Sequence, residues 1–170
     1  SFGIRFTDFS CTKLKKEDWA EVWKIHFKPL VISDTLALTP TWEHFEPKPG
    51  QVLIKLDPGM SFGTGQHATT KSCLASIDRF ISELRGKGQK EIAMLDAGSG
   101  SGILAIAARK LGCTRVDAFD IDPDTVGVAR ENAQKNGIAD QELSIAAASL
   151  MEYESDTRYD IVAANILSSA

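Results

Sequence analysis

Cysteine is sparse in this sequence of 170 residues. Its three cysteines, Cys11, Cys73 and Cys113, show no C-x-x-C spacing. That speaks against a zinc site or a disulfide framework and for a reduced setting. Long apolar runs are missing as well. None approaches the roughly 18 to 20 residues that a membrane span needs. Ser1 to Phe9 lacks the basic-then-apolar order of a secretion signal. The expected setting is therefore the cytoplasm, with no membrane partner and no metal. Positive charge is not in excess either. Nineteen Lys and Arg stand against 23 Asp and Glu, a net charge of −4. A broad basic coat is thereby excluded, and no nucleic-acid partner is expected. Internal repeats and low-complexity tracts are also absent.

What is present is ordinary globular composition. Hydrophobic residues make up 43% and charged residues 25%, which argues against disorder. A chain of this length can bury about two-thirds of its unfolded surface. The first fifty residues read as a lead-in. Trp19, Val22, Trp23 and Phe27 line one side of a short amphipathic helix. Leu30-Val31-Ile32 and Leu36-Ala37-Leu38 read as two short strands with Ser33-Asp34 as a turn between them. Pro40 to Gly50 carries three prolines and reads as a loop.

From residue 51 the rhythm becomes strand, helix, strand, helix. Strands are predicted at 51–56, 92–95, 116–119, 143–147 and 161–164. Helices are predicted at 67–84, 101–111 and 123–136. Thr70, Cys73, Leu74, Ile77, Ile81 and Leu84 recur at intervals of three and four in the first of these. Gly112 closes the second, and Pro123 opens the third with Gly137 just beyond it. Apolar strands alternating with helices imply an α/β fold with a doubly wound, mainly parallel sheet. The last strand would leave an unpaired edge, so the chain is expected to be a piece of a larger sheet.

Three stretches carry chemistry. The densest is Asp96-Ala97-Gly98-Ser99-Gly100-Ser101-Gly102, which follows a strand and opens a helix. Glycines there permit a tight turn and close approach to a ligand, and the helix N-terminus offers N–H groups to an anion. Asp120 lies 22 residues after Gly98 at the end of the next strand, where a carboxylate can accept from a ribose diol. A dinucleotide fingerprint would need its third glycine at Ile103. The G-x-G-x-G form preceded by an acid favours S-adenosylmethionine (SAM) over a dinucleotide or a mere packing turn. The second stretch, Asp57 to Thr70, is a glycine-rich loop running into hydroxyls at a helix start. It is either a ligand-covering loop or a simple capped turn. The third is Asn165, leaving the C-terminal end of an apolar parallel strand, where such sheets put their ligands. Its amide oxygen can accept from an amine N–H; the plainer reading is a strand-ending Asn. His67 is read as a structural helix-start residue in preference to a catalytic base.

Taken together these stretches resemble the ribosomal-protein methyltransferases of the PrmA type, which methylate amino groups of the stalk-base protein of the large ribosomal subunit. Asp57 to Thr70 is similar to that family's D-P-G-x-x-F-G-T-G-x-H-P-T-T stretch, with Ala68 where the family often has Pro. Leu95 to Leu111, Asp120-Ile121-Asp122-Pro123 and Asn165-Ile166-Leu167 match in order and spacing. The resemblance implies a Rossmann-like SAM-dependent methyltransferase fold that stops after its fourth strand. Residues 1–50 would be the lead-in and residues 51–170 the SAM-binding domain. It puts Thr70, Gly98, Asp120 and Asn165 on SAM-binding positions, with Asp96 and Gly100 in the same glycine motif. Phe62, Gly63 and Thr64 would lie near the methionine part. Asn165 would also hold the acceptor amine. The implied cofactor is SAM, and the implied partner is a ribosomal protein of the stalk base. A non-catalytic SAM- or dinucleotide-binding module and a methyltransferase of another acceptor are the alternatives.

Overall fold

The computed structural model describes residues 27–57 and 67–166. The helix expected around Trp19 to Trp23 and the loop residues Phe62, Gly63 and Thr64 lie outside the described residues. Two sheets form. The smaller one contains β1 (Leu30–Val31), β2 (Leu36–Thr39) and β3 (Val52–Lys55) in that order. β1 and β2 make the expected hairpin, with Leu30 opposite Leu38. The strand expected at 51–56 forms, but it pairs in parallel with β2 and does not join the larger sheet. All of β2 is buried, so the backbone groups on both of its edges need partners. β1 serves one edge and β3 the other, and Pro40 to Gln51 supplies the crossover that a parallel pair requires.

The larger sheet contains β4 (Ala93–Ala97), β5 (Arg115–Asp120), β6 (Ser144–Ala147) and β7 (Ile161–Ala164). Their spatial order is β6-β5-β4-β7, and every pair is parallel. The chain winds outward from β4 through β5 to β6, then returns to the other side of β4. Strand order therefore reverses at β4, and open parallel sheets bind ligands in the crevice outside the strand ends at such a point.

Three helices are described: α1 (Ala68–Gly86), α2 (Ile103–Lys110) and α3 (Pro123–Lys135). α1 packs on α2, and α2 on α3. α1 buries Leu74, Ile77 and Ile81, the stripe its spacing predicts. α2 is short and central, and Ile103 to Ala108 are all buried, which suits a segment apolar on every side. It starts at Ile103, later than the expected Ser101, because Gly102 sits at φ +78°, outside the helical region. At its other end Gly112 and Cys113 donate to the carbonyls of Arg109 and Ala108, closing the helix as expected. α3 opens on Asp122, whose side chain accepts the N–H of Asp124 at 3.0 Å.

Polar contacts lock the small sheet to the rest. Asn136, just past α3, accepts the Lys55 N–H at 2.8 Å and donates to the Lys55 carbonyl at 2.7 Å. On α1, Asp78 Oδ2 accepts from the hydroxyls of Ser33 and Thr35, each at 2.6 Å. Asp78 is 8% exposed, so this carboxylate has been removed from water and depends on those donors. Hydrogen bonds to a charged group contribute about 1.5 to 3 kcal/mol each. Asp78→Ala is expected to lower unfolding stability by about 2 kcal/mol or more, with Asp78→Asn losing less. Urea denaturation checks this; an unchanged midpoint would mean that apolar packing alone holds the hairpin.

Candidate functional site

The C-terminal ends of the four parallel strands converge on one cavity of about 340 Å3. Ala97 and Gly98 come from the end of β4, and Phe119, Asp120 and Ile121 from the end of β5. Ala148 and Leu150 follow β6, and Asn165 and Ile166 follow β7. The volume is in the range of small-molecule sites. Four of the expected residues, Gly98, Gly100, Asp120 and Asn165, thus meet at a single opening although they lie on three different strand ends.

The glycine loop is held at nearly every residue. The N–H groups of Gly98 and Ser99 both donate to the Phe119 carbonyl at 2.9 Å. The Gly100 N–H donates to Asp120 Oδ2 at 2.8 Å. The Ser101 carbonyl accepts from the buried Asn132 amide at 2.9 Å. Glycine is required here for two separate reasons. A Cβ on Gly98, which has φ +74°, would collide with Ile166 Cγ2. A Cβ on Gly102 would meet the Ala129 Cβ of α3 at 3.0 Å.

The two carboxylates at the end of β5 and just beyond it, Asp120 and Asp122, divide the work. Asp120 Oδ1 accepts the Asp122 N–H at 3.1 Å, so Asp120 braces the loop while lining the cavity. A carboxylate has about four lone-pair sites, which leaves it acceptor capacity for a ligand. Asp122 spends both oxygens on its own helix, on the Asp124 N–H and on the Thr125 hydroxyl at 2.9 Å. Those bonds, the Thr125 hydroxyl foremost, hold its pKa below the ordinary aspartate value.

Asp96 is fully buried and is not among the residues lining the cavity. Its Oδ2 accepts the Ala105 N–H at 3.0 Å, so one N–H of the α2 start is taken from within the protein. Burial pushes its pKa up to about 7, against the opposing pull of the Ala105 N–H, and the charge of Asp120 adds to the rise. Asp96 Oδ1 and Ser99 Oγ are buried without a hydrogen-bond partner among the described residues. Such orphaned atoms beside a loop fit a site that a polar ligand or water completes.

Thr70 is likewise buried beneath the cavity and absent from its lining. Its hydroxyl accepts from Asn165 Nδ2 at 3.2 Å. That bond commits the amide nitrogen and leaves Oδ1 as an acceptor. Asp57, the first residue of the glycine-rich second stretch, accepts the N–H and hydroxyl of Thr41 at 2.8 and 2.7 Å. It anchors the chain where that loop begins. His67 Nδ1 lies 2.8 Å from the Thr69 hydroxyl at the start of α1, a structural contact. Among the described residues no group of His, Cys, Asp or Glu could hold a metal ion. No helix among them is long and apolar enough to cross a membrane.

A family model described as ribosomal protein L11 methyltransferase (PrmA) matches residues 2–170. The chain belongs to this family. The ribosomal protein L11 methyltransferase of Citrifermentans bemidjiense is 44% identical over 156 residues, covering 92% of this chain and 50% of that protein. That of Geobacter sulfurreducens is 47% identical over 156 residues, covering 92% and 48%. The crystal structure of ribosomal protein L11 methylase from Lactobacillus delbrueckii subsp. bulgaricus matches with a TM-score of 0.69 and 38% identity, covering 82% of this chain and 67% of that one. The chain spans about half the length of the curated relatives it matches.

Within this member of the PrmA family, sequence reasoning missed the walls of the site. Ile121 and Ile166 directly follow Asp120 and Asn165, so chain adjacency could have flagged them. Phe119 directly precedes Asp120 and could have been flagged in the same way; Leu150, and Asn132 behind the glycine loop, carried no local signal. Asp96 offers a test of the buried geometry. An unfolded aspartate titrates near about 3.9, and the folded carboxyl near about 7. The folded state therefore holds this proton more tightly. The stability it contributes is fully present below about pH 4 and is lost as pH rises through about 7. Asp96→Asn keeps an acceptor for the Ala105 N–H and removes the titration. Its melting temperature should exceed that of the unmodified protein above about pH 7 and approach it near about pH 4. Parallel melting profiles across that range would refute the buried-acid assignment.

Proposed function

We propose that this cavity binds SAM and that the protein transfers its methyl group to amino groups of ribosomal protein L11. The observation that carries the proposal is the meeting of the glycine loop, Asp120 and Asn165 at the strand-order reversal of a chain from this family. Asp120 is assigned to the ribose diol, Gly98 and Gly100 to close backbone approach, and Asn165 to the acceptor amine. When bound, SAM supplies an electrophilic methyl group on a sulfonium. The chain's own task is then positioning. A lysine amine has a pKa of about 10.4 in water and must shed a proton before its nitrogen can attack. The charged amine is disfavoured by the positive charge of the sulfonium beside the acceptor. Asn165, fixed through its nitrogen by Thr70, presents Oδ1 to one amine N–H and so aims the lone pair. Phe62, Gly63 and Thr64 are assigned to the methionine side by the family motif.

The direct experiment supplies labelled SAM and L11 and measures methyl transfer. SAM binding without transfer to any amine would favour a non-catalytic module, and transfer to a different acceptor would retain the chemistry but not the substrate.

Four substitutions test the assignments. Asp120→Ala should weaken SAM binding at least about tenfold, since a charge-assisted hydrogen bond is worth roughly 1.5 to 3 kcal/mol and 1.4 kcal/mol is one decade. Asp122→Ala should lower the melting temperature through its lost helix cap and leave affinity nearly unchanged. Calorimetric titration of both variants decides which carboxylate serves the cofactor. For Asn165, single-turnover rates at saturating SAM separate chemistry from binding. Asn165→Ala should slow the methyl-transfer step by roughly 100-fold, the scale of a lost positioning contact. Thr70→Val, which removes the acceptor for Asn165 Nδ2, should slow it in the same direction and less. Unchanged rates in Asn165→Ala would remove that residue from the catalytic assignment.

A further inference from the structure

The face of β5 turned away from the helices has an unusual covering. Strand alternation sends Val116 and Ala118 into the helix-covered core and Asp117 and Phe119 to the other side. The segment joining β6 to β7 lays two tyrosines on that side. The Tyr153 ring stacks on Phe119, with centroids 4.3 Å apart and planes 20° apart. The Tyr159 hydroxyl donates to Asp117 Oδ2 at 2.7 Å, and Arg115 Nε donates to the same oxygen at 2.9 Å. The two tyrosine oxygens lie 3.0 Å apart. Burial first, and the bond to Tyr159 second, raise the Tyr153 phenol above its ordinary pKa, so it stays protonated through the neutral range. The pair thus grips β5 at two points, one aromatic and one polar.

Phe119 is what joins this grip to the cavity. Phe119 is among the residues lining the cavity, and its carbonyl holds the Gly98 and Ser99 N–H groups. Tyr153 does not line the cavity itself. It belongs to a turn in which the Ser149 carbonyl accepts from the N–H groups of Glu152 and Tyr153 at 3.1 and 3.0 Å. That turn also carries Leu150, a second wall residue. Residues 148–160 contain no helix or strand. Backbone bonds fix both ends, the Ala148 N–H to the Asp120 carbonyl and the Asp160 N–H to the Ala93 carbonyl, each at 2.9 Å. Between those ends the segment is held to β5 by side-chain contacts of this kind.

We infer that Tyr153 is a positioning residue that sets the Phe119 and Leu150 walls of the cavity beside Asp120, and so governs affinity for the nucleoside part of the cofactor without touching it. The inference rests on the SAM reading above. Aromatic stacking of this geometry is worth about 0.5 to 1.5 kcal/mol, which at 1.4 kcal/mol per decade bounds the effect on affinity at a two- to twelvefold factor. Tyr153→Leu should therefore raise the Kd for S-adenosylhomocysteine about three- to tenfold, and the Kd for adenosine by the same factor, because both share the nucleoside. Tyr153→Phe keeps the ring and should restore both to within about twofold.

Calorimetric titration well below each variant's melting temperature tests this, because a merely structural role would lower the melting temperature and leave Kd unmoved. Tyr153→Met fills the space without a ring face and gives the same reading should the leucine variant fail to fold. Equal affinities in the unmodified, Leu and Met proteins would overturn the inference while leaving the SAM reading intact. Failure of Tyr153→Phe to restore affinity would overturn it too. Absence of S-adenosylhomocysteine binding by the unmodified protein would overturn the SAM reading, and this inference with it.

Discussion

The last two residues of β5 hold the site together. The Phe119 carbonyl takes two successive N–H groups of the glycine loop, and the Asp120 carboxylate takes a third. A loop that exposes its backbone to a ligand has few internal partners, so its shape must be imposed from a neighbour. β5 is the right neighbour because it is an interior strand, paired with both β4 and β6, and cannot shift without breaking both ladders. Asn132 on α3 and Asp96 on β4 add restraint from the opposite side. A loop held in this way loses little further freedom when a ligand arrives, which is the physical content of preorganisation.

The same arrangement explains why polar residues sit in an otherwise apolar core. Thr70, Asp96 and Asn132 are all nearly inaccessible to water, and each bonds to a group at or next to the site. Burying them is unfavourable unless the bonds are made. Asp96 carries this furthest, since its raised pKa records the cost of its charge beneath the glycine loop. Asp96 Oδ1 and Ser99 Oγ are buried without a partner among the described residues.

Much of this was legible in the sequence wherever a signal is local. Hydrophobic spacing located α1, Pro123 and Gly137 bounded α3, and apolar runs located the strands. The glycine motif and Asp120 were found because a backbone turn and a carboxylate at fixed separation leave a mark on a short stretch. The start of α2 lies two residues later than the spacing implies because Gly102 takes a left-handed conformation outside the helical region. The strand at Val52–Lys55 was recognised but its partner was not, since an apolar strand pattern does not say which edge it will fill.

The residues themselves determined which segments become strands and helices, which side of each helix is buried, and which glycines and acids can serve a ligand. These follow from dihedral preference and periodicity, which act over a few neighbours. Only the tertiary structure decided that Asn165 turns its nitrogen to Thr70, that Asp120 braces the Gly100 N–H while lining the cavity, and that Tyr153 backs Phe119. Each of these contacts joins residues far apart in the chain. A polar side chain can serve many partners until packing fixes which one it can reach. Strand order placed β7 beside β4, and that single choice brought Asn165 to the loop of Gly98.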